Sequence, residues 1–151
     1  MFQTDSDGQT VPDEFLQFWE IRHDYRMVIG HRSKREDGLS RVFVTKVLKF
    51  IIYLCFGTSV TDANTPYRLM EMETLKRQLQ LIPEDFNLPN VLISVMYVKF
   101  NYSVKWIPIT FRPRQGGVNS LNMRRILKIG KRAIKDFRML NKTITTLQLY
   151  R

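Results

Sequence analysis

Apolar residues at Val44, Val47, Leu48, Ile51, Ile52 and Cys55 recur with a helical period from Arg41 to Phe56, and Lys46 and Lys49 lie off that face. The segments on either side keep a strand's habit instead. Tyr25 to Ile29, rich in Met, Val and Ile and closed by Gly30, reads as a short buried strand. Lys105 to Phe111 alternates, which places Trp106, Pro108 and Thr110 on one face. Pro12 followed by Asp13 and Glu14 opens a helix over Asp13 to Arg22, because proline suits a first turn and acids favour the positive end of the helix dipole. Leu69 to Leu79 is a second helical run, and Asn90 to Lys99 fits helix or strand on periodicity alone. With 151 residues, 44% hydrophobic and 25% charged, the chain can bury the core of one medium domain.

Charge narrows the partners. The formal net charge is +10, so an anionic partner such as phosphate, nucleic acid or a lipid surface is expected. Residues 1–30 hold six acids against Arg22 and Arg26, whereas Arg112 to Lys142 holds ten basic residues and one acid, Asp136. From Leu121 to Leu140, apolar positions such as Ile126, Ala133 and Phe137 interleave with arginines and lysines, a basic amphipathic helix suited either to an anionic membrane surface or to packing on the domain with a solvated face. The single cysteine, Cys55, excludes an intrachain disulfide, and with two histidines any metal must be held mainly by oxygen. Neither a signal peptide nor a membrane-spanning run is expected. A nucleic-acid-binding module would explain the charge, but the acidic first thirty residues and the lack of a recognised binding motif speak against it.

Asp5-Ser6-Asp7-Gly8-Gln9 sets oxygen-bearing side chains at alternate positions, with Gly8 allowing a tight backbone. Such a turn can gather hard ligands around Mg²⁺ or Mn²⁺ and leave positions open for a diphosphate. A solvated turn or a helix cap uses the same residues. An EF-hand does not fit, because the twelfth loop position would be Leu16 in place of a bidentate glutamate.

That turn with Pro12-Asp13-Glu14-Phe15, then Val28-Ile29-Gly30-His31-Arg32, then Asp62 through Tyr67-Arg68-Leu69, then Arg112-Pro-Arg-Gln-Gly-Gly-Val-Asn-Ser120, resembles the latter part of a family 2 glycosyltransferase. The likeness is greatest to the polyprenyl-phosphate sugar transferases and runs from Thr4 to about Leu140. It implies an α/β fold, an incomplete GT-A domain over residues 1–120 followed by a basic helix and tail over 121–151. It also implies an inverting transfer of a sugar from a nucleotide-sugar to a polyprenyl-phosphate or saccharide acceptor. By resemblance, Asp5, Asp7 and Gln9 hold Mn²⁺ or Mg²⁺. Arg32 and Arg41 face phosphate groups. The Asp62-to-Arg68 segment lines the sugar and acceptor region, with Pro66 and Tyr67 where the family has glycine and phenylalanine. Glu84-Asp85 stands where many members carry the carboxylate that deprotonates an acceptor hydroxyl, and the same pair can cap a helix near Leu88. Arg112, Arg114, Asn119 and Ser120 belong to a loop that closes over the site. The family pattern also makes Asn90 to Lys99 a helix.

The family's nucleotide-binding half has no counterpart before Met1-Phe2-Gln3-Thr4, the stub of a strand. The chain is therefore expected not to transfer sugar alone, and to self-associate or take a complementing N-terminal half. Its expected place is cytoplasmic, peripheral at the inner face of the membrane. A non-catalytic or partner-dependent subunit is the alternative.

Overall fold

The computed structural model describes residues 1–6, 8–32, 39–84, 86–112 and 123–149; side chains in the two long helices are described for 44–56 and for 130, 131 and 133–146. The described elements are β1 (Phe2–Gln3), a 3₁₀ turn (Pro12–Glu14), α1 (Phe15–Glu20), β2 (Met27–Arg32), α2 (Leu39–Phe56), β3 (Arg68–Met70), α3 (Met72–Leu79), α4 (Pro89–Lys99), β4 (Val104–Ile109) and α5 (Met123–Leu149). The chain is mixed α/β. It divides into two compact units, Met1–Lys34 with Val60–Gly117, and Arg35–Ser59 with Val118–Arg151, so α2 keeps company with α5.

The first unit is built on a sheet of order β1-β3-β2-β4. β3 runs antiparallel to both β1 and β2, and β4 runs parallel to β2, from Met27↔Val104 to Arg32↔Ile109. Period-two alternation along β2 fixes both faces. Met27 and Ile29 pack with Met70, Leu75, Ile93 and Tyr97 beneath α3 and α4, while Val28 packs with Phe18, Tyr67, Leu69 and Ile109 beneath α1. α4 is apolar nearly all round and buried from Val91 to Tyr97, as a helix without a polar face must be. Trp106 alternates with Ile107 between the two cores, as its spacing predicts. Pro108 is tolerated because β4 lies at the sheet edge.

Three boundaries differ from the sequence expectation. Leu69 and Met70 are strand, because Leu69 pairs with Val28 and extended Glu71 donates its N–H to Arg26 O at 2.9 Å before α3 begins. The first helix opens as a 3₁₀ turn and stops at Glu20, where Arg22 folds back, its Nη1 2.6 Å from Trp19 O and its guanidinium 4.2 Å from the indole centroid. The strand does not close at Gly30 but runs on to Arg32. Gly30 is there for space: a Cβ would stand 2.5 Å from Ile109 Cδ1 and 3.0 Å from Cγ1. Gly30→Ala should therefore push β2 and β4 apart at a cost of about 1–3 kcal/mol. Chemical denaturation checks it, and an unchanged midpoint would mean that Ile109 re-rotates freely.

In the second unit α2 lies along α5. Ile52, Cys55 and Phe56 are buried, as are Ala133, Phe137, Leu140 and Ile144, and the rings of Phe56 and Phe137 stand 5.3 Å apart. Burial pushes the Cys55 thiol up, against the pull of Arg138.

Candidate functional site

Because β1 and β2 are both antiparallel to β3, and β4 is parallel to β2, three strands point the same way. Their carboxyl ends therefore share one edge of the sheet, the edge at which open α/β sheets present ligand-binding loops. β1 delivers Asp5, β2 ends on Arg32, and β4 leads into Phe111 and Arg112.

Backbone chemistry draws these ends together. The acidic turn closes with Gly8 at φ +70°, a conformation that glycine enters without strain. Past it, Thr10 forms an antiparallel bridge with Phe111. Arg112 donates its N–H to Gln9 O at 2.8 Å, and Gln9 Nε2 donates to Arg112 O at 3.0 Å. The Thr4 and Thr10 hydroxyls lie 3.4 Å apart across the turn. Arg32 places its guanidinium 4.3 Å from the Phe111 ring centroid, a cation–π contact that aims a cation at the same corner. Both carboxylate oxygens of Glu14 accept the Thr110 N–H at 3.0 Å, tying the start of α1 to the end of β4. The edge thus carries an exposed carboxylate, Asp5, an exposed arginine, Arg112, and a half-buried one, Arg32.

The metal set is only partly in view. Its donors are oxygen atoms, as hard cations require, but among the described residues no three His, Cys, Asp or Glu side chains group as a metal site. The Gln9 amide nitrogen is engaged with Arg112 O. Asp7, Asp85, Arg114, Asn119 and Ser120 lie outside the described residues, as does the side chain of Arg41.

Asp62 and Arg68, expected on the sugar and acceptor, are instead in the interior. Arg68 is fully buried and Asp62 nearly so. Arg68 Nε donates to Thr65 O at 3.1 Å, Nη2 donates to the same oxygen, and Nη1 donates to Asn90 O at 3.0 Å and to Ser94 Oγ at 3.3 Å. Ser94 Oγ in turn lies 3.0 Å from Ala63 O. Burial lowers the Arg68 pKa to about 10, with the Asp62 charge and then Tyr97 opposing the shift. With all three of its nitrogens hydrogen-bonded in the interior, Arg68 staples the 62–66 segment to α4 and is not placed to hold a phosphate. The Asp62 carboxylate acts on it through its charge. Sequence reasoning missed this staple, although a lone serine in the apolar run of α4 marks one end of it. It also missed the Glu14–Thr110 tie, having read Glu14 only as a helix opener.

Glu84 is exposed before α4. The helix's N-cap is Leu88, which makes no side-chain capping bond, so Glu84 is free of the capping role considered for the pair. A cavity of about 640 Å³ opens at the other, amino-end edge of the sheet, lined by Met1, Arg26, Met70, Glu71 and Ser103 among others. None of the predicted site residues lines it.

No protein-family model matches the chain, and no solved structure matches it.

Proposed function

We propose that the carboxyl edge of the sheet is the metal-diphosphate side of a sugar-transfer site, acting with a nucleotide-sugar donor and a lipid-phosphate or saccharide acceptor by inversion. The observation that supports this reading is the convergence of the Asp5 turn, Arg32 and Arg112 on one edge, because a dinegative leaving group needs cations and a metal ligand in one place. Asp5 with Asp7 would hold Mn²⁺ or Mg²⁺, and the ion would neutralise charge on the departing nucleoside diphosphate. Arg32 and Arg112 bind and orient the phosphates through charge-assisted hydrogen bonds, a task that the family resemblance also gives to Arg114, Asn119 and Ser120, which lie outside the described residues. Glu84 or Asp85 would take the proton of a saccharide hydroxyl. A lipid phosphate is already anionic and needs no such base.

Among the described residues β1 pairs with β3 alone, so its outer side can accept further strands. We assign the base and ribose contacts of the donor to strands added there, from a complementing segment or partner.

Calorimetric titration of Mn²⁺ with UDP or GDP into the chain tests the reading. Binding should require the metal, and Asp5→Ala/Asp7→Ala should abolish it. Equal binding by both proteins would remove the site.

A further inference from the structure

The α2 helix carries an unpartnered apolar stripe that the packing against α5 does not use. Val47, Phe50 and Leu54 recur at i, i+3 and i+7 and therefore share a face, with Tyr53 beside them. Phe50 and Leu54 are each 62% exposed and Tyr53 60%. Lys46 and Lys49, also exposed, line one side of the stripe. The other face of α2, with Ile52, Cys55 and Phe56, is the one buried. Large aromatic and aliphatic side chains held in water on consecutive turns call for an occupant.

Charge identifies that occupant. The unit containing α2 and α5, Arg35–Ser59 with Val118–Arg151, holds thirteen of the 24 lysines and arginines and three of the 14 acids. The sheet unit's eleven bases and eleven acids cancel, so the whole net charge of +10 belongs to the helical unit. Exposed Lys131, Lys135, Arg138 and Lys142 continue the positive surface on α5. An apolar stripe bordered on one side by lysines, on a unit with a large excess of positive charge, is complementary to an anionic lipid surface, with acyl chains for the stripe and headgroups for the lysines. Among the described residues no helix is long and apolar enough to cross a membrane, so the fit is to the interface.

We infer that α2 is the lipid-facing helix of this protein, inserting Phe50, Leu54 and Val47 into an anionic leaflet while α5 supplies charge. The sequence expectation gave that role chiefly to the helix from Leu121 to Leu140, assisted by the apolar run around Ile51. Among the described residues of that helix, Ala133, Phe137 and Leu140 are buried, and Lys131, Lys135 and Arg138 are exposed together with Met139. The inference stands on the helical unit alone and does not depend on the chemistry at the sheet's carboxyl edge.

Co-sedimentation of the full chain with vesicles of phosphatidylcholine, with and without phosphatidylserine, is the experiment. The chain should bind the anionic vesicles, and salt should weaken the binding. Phe50→Ser/Leu54→Ser should reduce it by about tenfold or more while circular dichroism and the unfolding midpoint hold, since both side chains are already in water. Lys46→Glu/Lys49→Glu should erase the preference for anionic over neutral vesicles. Unchanged vesicle binding by the folded Phe50→Ser/Leu54→Ser protein would overturn the inference. So would a stripe that serves self-association, seen as an oligomer that this variant makes monomeric in sedimentation velocity with no lipid binding by the parent. Displacement of the chain from vesicles by an oligonucleotide, with the stripe variant binding as well as the parent, would assign the surface to nucleic acid.

Discussion

Arg68→Met should leave the sheet unit much less stable, because each buried polar group that loses its hydrogen-bond partner costs about 1–3 kcal/mol. The substitution keeps most of the side-chain volume, so the cost is electrostatic. It leaves Thr65 O and Asn90 O without the donors they now accept from, and it removes a positive charge that acts on the buried carboxylate of Asp62. Since native stabilities lie around 5–15 kcal/mol, one such change can remove a large share of the total. Asp62→Asn alone should cost less, because the guanidinium keeps its backbone acceptors. Equilibrium urea unfolding of the two single variants and the double variant gives the coupling energy directly. Additive effects would mean that Asp62 and Arg68 do not act as a pair, and a stable Arg68→Met protein would return Arg68 to the list of ligand-binding candidates.

Arg32→Ala/Arg112→Ala should weaken metal-dependent binding of a nucleoside diphosphate by roughly a hundredfold or more. A hydrogen bond to a charged group is worth about 1.5–3 kcal/mol, and each 1.4 kcal/mol is about tenfold, so removing two cations from one anion site compounds. Stability should respond differently at the two positions. Arg112 is exposed, and its ties to Gln9 run through its backbone, which alanine retains. Arg32 covers the Phe111 ring and is half-buried, so its removal should also cost some packing. Calorimetry on the single variants separates the two roles. Full retention of diphosphate affinity by the double variant would place the anion site elsewhere.

Local pattern was legible where local physics decides. The α2 run from Arg41, the strand at Tyr25 and the helix opening at Pro12 follow from apolar period, β-branched content and capping chemistry, and the structure has each within a few residues. Leu69 and Met70 were misread because their spacing suits the helix that follows, while the pairing that makes them strand is with β2, far off in sequence. Arg68 shows the same limit for function. An arginine beside an aspartate-bearing segment reads as a ligand-facing cation, and nothing near it in the chain announces that Asn90 and Ser94 will enclose it. The carboxyl edge was legible in part. Asp5, Gln9, Arg32 and Arg112 were each singled out by their motifs, but their meeting point depends on three strands running the same way, a property of sheet order that no segment carries by itself.

The most direct measurement is paramagnetic broadening of backbone amide signals as Mn²⁺ is added to the isotope-labelled chain in the presence of UDP or GDP. The account predicts selective loss of signals around Thr4 to Thr10, at Arg32 and at Phe111 and Arg112, with none of this loss in Asp5→Ala/Asp7→Ala. Broadening spread evenly over the protein, or centred on the amino-end edge around Arg26, Glu71 and Ser103, would contradict it.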